Sequence, residues 1–105
     1  MRLFTSFSLA LALAAGSQVR AGDLAECSFN GIALYGEVEV VDSFPDIKIK
    51  VVDSFPDLNV QMVDSFPDQC GKWQIVSSLG DFKIQYVDSF PDIEIAIVES
   101  FPGLP

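Results

Sequence analysis

Histidine is absent from the 105-residue chain, and its absence removes two chemistries at once. A reactive cysteine wants a histidine or cationic neighbour, and two thiols without an imidazole make a poor zinc site. Basic residues are scarce: six lysines and arginines face fifteen acids, for a net charge of −9. Such a chain repels polyanions and offers no basic stripe, which excludes nucleic acid and disfavours an anionic lipid surface. The only threonine is Thr5, so the flat threonine ladder of an ice-binding face is missing. No triple-glycine turn stands between a strand and a helix, so a dinucleotide fold has no foothold and no cofactor is expected.

What the chain does have is an eleven-residue repeat. Val-Asp-Ser-Phe-Pro-Asp begins at Val41, Val52, Val63 and Val87, with looser copies at Val76 (Val76-Ser-Ser-Leu-Gly-Asp81) and Val98 (Val98-Glu-Ser-Phe-Pro-Gly103). In register the units run 36–46, 47–57, 58–68, 71–81, 82–92 and 93–103, and the period breaks only at Gln69 and Cys70. Self-similarity at a short fixed period marks units that cannot bury their apolar faces alone and are completed by their neighbours.

The start of the chain reads as an export signal. Met1-Arg2 is a positive start, Leu3 to Ala15 is apolar, and Val19-Arg20-Ala21 precedes a cut ahead of Gly22. The expected organisation is therefore a signal peptide over 1–21, an N-terminal capping segment over 22–35 and one β-repeat domain over 36–105. Localisation is expected to be secreted or periplasmic, with no integral membrane segment after cleavage. Cys27 and Cys70 both fall in the mature part, and in an oxidising compartment they read as one disulfide closing a long loop.

Within each unit the residues alternate. Ile47-Lys-Ile49-Lys-Val51, Leu58-Asn-Val60-Gln-Met62, Phe82-Lys-Ile84-Gln-Tyr86 and Ile93-Glu-Ile95-Ala-Ile97 place apolar groups at every second position, the period of a half-buried strand. The prolines Pro45, Pro56, Pro67, Pro91 and Pro102 lack an amide hydrogen and disfavour helix at the phenylalanine before them, which is expected to be extended. Asp-Ser-Phe-Pro-Asp is thus the turn. Upstream, Asn30-Gly31 between two short apolar runs predicts a capping hairpin or a degenerate strand. Glu37 and Glu39 correspond to Lys48 and Lys50 of the next unit, and Lys83 to Glu94, so opposite charges on adjacent units would support an in-register sheet; Gln74 and Gln85 would stack likewise. The other reading is that these polar groups merely keep an outer face wet.

Length limits the winding. Eleven extended residues reach at most about 36 Å, and closing one unit into a coil with walls about 10 Å apart would consume roughly 20 Å in crossings. One repeat is therefore expected to form one side of the structure, with two or three repeats to a circuit. The expected core combines Ile47, Ile49, Phe55, Val60, Phe66, Ile84, Phe90 and Ile95, phenylalanine at a repeating position being core more often than not. A simple one-repeat-per-coil solenoid would instead pair only consecutive units.

The Val-Asp-Ser-Phe-Pro-Asp-Ile-Lys-Ile-Lys-Val run, with its interruption Cys70-Gly71-Lys72-Trp73-Gln74, resembles a group of small exported bacterial repeat proteins of unestablished function. More distantly, the strand-turn alternation with recurring aspartates is similar to the septoil-knot family, whose short β repeats wind into a torus knot with seven crossings. The resemblance covers residues 36–105 and implies an all-β, compact, intertwined fold, solenoid-like or septoil-knotted. The aspartate-poor fourth unit and the proline in most turns depart from the distant family. Some chains of the first group carry the name 6-phosphogluconate dehydrogenase, which the missing glycine-rich turn and the lack of an arginine for a sugar phosphate after the expected cut do not support.

Three functional classes stand beside one another. The first is a non-enzymatic structural or interaction module, whose regular outer surface would bind an unknown protein or glycan partner. The second is a divalent-ion binder, with calcium held by Asp42 and Asp46, Asp53 and Asp57, Asp64 and Asp68, and Asp88 and Asp92, which bracket the turns. Aspartate at a turn also accepts hydrogen bonds from nearby backbone, which accounts for the same spacing without an ion. The third is an enzyme of unrecognised type, such as a glycosidase with paired carboxylates. Acids that recur identically in the four complete turns argue against it, because catalysis needs one asymmetric site. Trp73, the only tryptophan, marks the one break in symmetry. Oligomeric state is left open, and the terminal Pro102-Gly103-Leu104-Pro105 reads as a device for closing a sheet edge.

Overall fold

The computed structural model describes Leu24 and residues 26–105. The export segment and its cut before Gly22 lie outside the described residues. Two short strands, β1 (Ser28–Phe29) and β2 (Ile32–Ala33), form the N-terminal hairpin, and six five-residue strands follow: β3 (Gly36–Val40), β4 (Ile47–Val51), β5 (Leu58–Met62), β6 (Lys72–Val76), β7 (Phe82–Tyr86) and β8 (Ile93–Ile97). The hairpin turns at Asn30 (φ 50°) and Gly31 (φ 82°), two consecutive left-handed residues of the kind an antiparallel two-residue loop requires. Among the described residues no helix is long and apolar enough to cross a membrane.

The six long strands are the apolar-alternating halves of the six repeats, and they close into a parallel barrel in the order β8-β4-β7-β3-β6-β5. Pairing is mostly between units far apart in sequence. β3 joins β6 and β7, β4 joins β7 and β8, and β5 joins β8. These partners are three or four units apart, so three to four repeats make one circuit, longer than the two or three that chain length suggested. Only β5 and β6 are consecutive, and they share just the pairs Gln61↔Lys72 and Met62↔Trp73.

The stagger explains how parallel strands follow one another without long crossovers. Ile84 of β7 is level with Val40 of β3 on one side and with Ile47 of β4 on the other. The strand that ends on one flank of β7 is thus continued on its other flank. The connecting corner passes over the outside of β7, with Val41 N donating to Ile84 O (2.8 Å) as it leaves and Asp46 N donating to Lys83 O (2.9 Å) as it returns. The same step recurs over β8, where Val52 N donates to Ile95 O and Asp57 N to Glu94 O, and over β4, where Val87 N donates to Ile49 O and Asp92 N to Lys48 O.

First and third positions of the repeats fill the barrel. Val38, Ile47, Ile49, Leu58, Val60, Trp73, Phe82, Ile84, Ile93 and Ile95 are buried, and Leu34 and Phe29 of the N-terminal segment complete the core. Each large aliphatic or aromatic side chain buried in this way contributes about 1.5–3 kcal/mol of transfer free energy. Trp73 meets Phe82 edge to face at a centroid distance of 5.6 Å.

Three expectations are corrected here. Phe55, Phe66 and Phe90 are exposed, not core; the strands and the N-terminal segment fill the interior, and the corners lie outside it. Those phenylalanines are also not extended: φ is 53° to 58° at Phe44, Phe55, Phe66, Phe90 and Phe101, and 60° at Leu79. A corner that must rise over a strand and return to it within six residues needs a sharper reversal than extended backbone gives. Opposite charges do face each other, but across ladders between distant units, Glu39 beside Lys83 and Glu94 beside Lys50, while Gln74 faces Glu37 and Gln85 faces Lys48.

Candidate functional site

Each corner carries its apolar residue at the apex, pointing away from the strand it crosses. Phe44, Phe55, Phe66, Leu79, Phe90 and Phe101 are 80–92% exposed. Barrel order, not chain order, decides which of them are neighbours. Leu79 stands over β3, since Val76 pairs with Glu39 and Asp81 N donates to Glu37 O. Phe44 stands over β7, Phe90 over β4 and Phe55 over β8, and Phe101 stands over β5, where Val98 N donates to Val60 O and Gly103 N to Asn59 O. The chain thus lays the apices around the barrel in the sequence Leu79, Phe44, Phe90, Phe55, Phe101. Neighbouring corners are related by one strand sideways and two residues along, a displacement of about 8 Å from ordinary strand spacing and rise.

The aspartates that close the corners hold them in place. Asp46 accepts from Lys83 N, Asp57 from Glu94 N, Asp81 from Glu37 N and Asp92 from Lys48 N, all through Oδ2 at 2.8–2.9 Å. Each carboxylate satisfies an outward-facing amide of the strand beneath, while the aspartate's own amide returns a bond to the same strand. Asp68 makes no such pair of bonds: its corner leaves over β6, where Val63 N donates to Trp73 O, but its amide bonds to Phe66 O within the corner. Asp42, Asp53, Asp64 and Asp88 open their corners and are exposed. Among the described residues, no three of the acids and cysteines come together in a metal-holding group. The eight turn aspartates are therefore distributed around the barrel, not collected at one place.

The break in the repeat is where the N-terminal hairpin segment and the C-terminal segment meet the barrel. Cys27 and Cys70 are joined by a disulfide across 43 residues, with Cα atoms 5.9 Å apart. Leu34 O accepts from Gly71 N (3.0 Å) and from Trp73 Nε1 (3.1 Å). From the other end, Gly103 pairs with Asn59 in an isolated antiparallel bridge, so the terminal segment does close onto a strand. Trp73 is fully buried and its indole N–H is satisfied by backbone, which makes it a packing residue of this seam. Beside the seam an open cleft of about 660 Å³ is lined by Tyr35, Glu37, Pro67, Asp68 and Asp81. Elsewhere, burial pushes the Tyr86 phenol above its ordinary value.

The exposed rings were missed in the sequence because phenylalanine at a repeating position suggests core. The available signal was proline immediately after each ring, which places that ring in a connection, and connections run on the surface.

Residues 31–105 match the family model of the 7(1) septoil knot domain. Over 51 residues the chain is 67% identical to the uncharacterized protein slr1025 of Synechocystis sp., an overlap covering 49% of this chain and 46% of that protein. The chain thus spans about half the length of the curated relative that it matches.

Proposed function

The chain belongs to the 7(1) septoil knot domain family, and from that premise we propose that it is a non-enzymatic, exported scaffold whose corners bind a partner. The observation that carries this reading is the chemistry of the apices. Six large apolar side chains stand in solvent on left-handed backbone, a conformation that costs a non-glycine residue about 1–2 kcal/mol. Glycine or asparagine would serve the turn better, and the apices add nothing to the buried core. Residues that are both exposed and conformationally costly at every corner are best accounted for by a role outside the molecule. The disulfide is compatible with an oxidising compartment, which supports export. Nothing in the distribution of acids supplies the single asymmetric site that catalysis needs.

The test is whether the rings serve the fold. Phe44→Asn, Phe55→Asn and Phe90→Asn together keep the charge and suit the left-handed backbone. We expect unchanged far-ultraviolet circular dichroism and a Tm equal to or a few degrees above that of the parent. A fall of many degrees would mean that the rings stabilise the fold, and the reading would be withdrawn.

A further inference from the structure

The winding brings together three corners that the sequence keeps apart. Around the barrel, Phe44, Phe90 and Phe55 are consecutive, over β7, β4 and β8, although they come from the first, fifth and second repeats. They are also the three neighbouring corners with the complete Asp-Ser-Phe-Pro-Asp pattern. Asp42 and Asp46 bracket Phe44, Asp88 and Asp92 bracket Phe90, and Asp53 and Asp57 bracket Phe55. On either side the pattern is diluted: Leu79 has Ser77 and Asp81, and Phe101 has Glu99 and Gly103. The fourth complete corner, at Phe66, lies beyond Phe101, at the seam.

We infer that this three-corner face docks a cationic polypeptide, a segment rich in arginine or lysine, and this rests on the scaffold reading above. Each corner offers an exposed aromatic ring with an exposed carboxylate two residues before it and another two residues after it in the chain. A guanidinium or ammonium group recognises that combination through the ring face and the carboxylates together. One oxygen of Asp46, Asp57 and Asp92 is bonded to a strand amide, but the carboxylates remain at the surface. Charge discriminates among the alternatives. A second copy of this chain, also at −9, would be repelled, as would a nucleic acid or an anionic lipid surface. A neutral glycan would use the rings but has no use for six flanking charges.

Spacing makes the face multivalent. The strand positions beneath neighbouring corners are about 8 Å apart, and the rings, which stand outside a closed barrel, are spread more widely than the strands. A segment with several cations spaced along it engages neighbouring corners simultaneously, and the second and third contacts form at high effective concentration.

The test uses the full oxidised chain and calorimetric titration at about 0.15 M salt, where exposed charges more than about 8 Å apart are largely screened. The probes are an arginine nonapeptide, a glutamate nonapeptide and a soluble neutral glucan oligosaccharide. The parent is expected to bind the arginine peptide and neither of the others. The Phe44→Asn, Phe55→Asn, Phe90→Asn variant, with its charge unchanged, is expected to bind at least ten-fold more weakly, while Phe66→Asn changes affinity less than two-fold. Equal binding by parent and triple variant would show association by charge alone and overturn the docking face. Ring-dependent binding of the oligosaccharide without the arginine peptide would overturn the cationic partner but leave the scaffold reading standing. A triple variant that loses both binding and many degrees of Tm would overturn both.

Discussion

Asp57 and Gly103 occupy the same place at the end of a corner, one over β8 and the other over β5, yet they answer the strand beneath them differently. Under Asp57, Glu94 N donates to a side-chain carboxylate; under Gly103, Asn59 N donates to the backbone carbonyl. In the regular wall, formed by β3, β7, β4 and β8, the bonds that fix each corner are copies of one device. At the seam, between β5 and β6, the ladder is reduced to two pairs, and the bonds come from the N-terminal hairpin segment and the C-terminal segment. Repetition closes most of the barrel, whereas the last gap needs unique residues: a disulfide, two glycines and a tryptophan. The wall should therefore tolerate change at any single corner, and the seam should not.

The largest expected effect is at the disulfide. In the chain-entropy model, a crosslink closing a 43-residue loop contributes about 4 kcal/mol. Paired Cys27→Ser and Cys70→Ser substitutions are expected to lower stability by about that amount in urea titration, with the strand content retained. The bond ties the hairpin to the residue preceding Gly71, so loosening should begin at the seam. Hydrogen exchange would read this directly: in the reduced protein, protection at Gly71 and Asn59 should fall before protection at Lys48 or Lys83. Uniform loss across all strands would erase the distinction between wall and seam.

Two glycines sharpen the comparison. Gly31 (φ 82°) and Gly71 (φ 84°) have nearly the same φ, so the strain of a positive φ alone predicts similar penalties for alanine. Their surroundings differ. A Cβ on Gly31 meets nothing within 4 Å, whereas one on Gly71 falls against Asn59 O and is 2.6 Å from Gly103 N, backbone on two sides. Gly31→Ala is expected to cost about 1 kcal/mol, and Gly71→Ala about 3 kcal/mol or more, because the terminal segment must be displaced. Equal losses would mean that the close packing of the terminal segment at Gly71 does not hold the barrel shut.

How much of this was legible in the sequence depends on what the repeat can and cannot encode. Alternation at Ile47-Lys-Ile49-Lys-Val51 and its copies located the six strands, Asn30-Gly31 located the hairpin, and the cysteine count gave the disulfide. Those are local signals. Pairing is not local, and a repeat hides it: when every unit reads the same, Ile84 matches Val40, Ile47 or Ile95 equally well, and only the geometry of closure selects partners three and four units away. The charges on the even positions pointed to an in-register sheet but were assigned to the wrong neighbours for the same reason. The direction of the phenylalanines was illegible for another. The side chain's hydrophobicity favours burial, and only the length of the crossing shows that the barrel is already full without it. Export, as well as the partner, rests on chemistry that the fold accommodates but does not itself specify.

The smallest expected effect compares two aspartates with the same sequence context. Asp57 and Asp68 each end a Val-Asp-Ser-Phe-Pro-Asp run, so the repeat alone assigns them one role. The structure separates them. Removing the Asp57 carboxylate leaves Glu94 N without its 2.9 Å acceptor, whereas no strand amide donates to the Asp68 carboxylate: its corner leaves over β6, with Val63 N donating to Trp73 O, and then turns back through Gln69 and Cys70. An exposed backbone amide that loses a charged acceptor costs about 1 kcal/mol, since water replaces part of the bond. Asp57→Ala is therefore expected to lower stability by about 1 kcal/mol and Asp68→Ala by less than about 0.5 kcal/mol, the usual surface scatter. Running both titrations in calcium and in a chelator tests the ion reading in the same experiment. If the aspartates act only as acceptors for backbone, the midpoint is independent of calcium and the difference between the variants persists. If they hold an ion, calcium stabilises the parent by mass action and the two substitutions forfeit that gain.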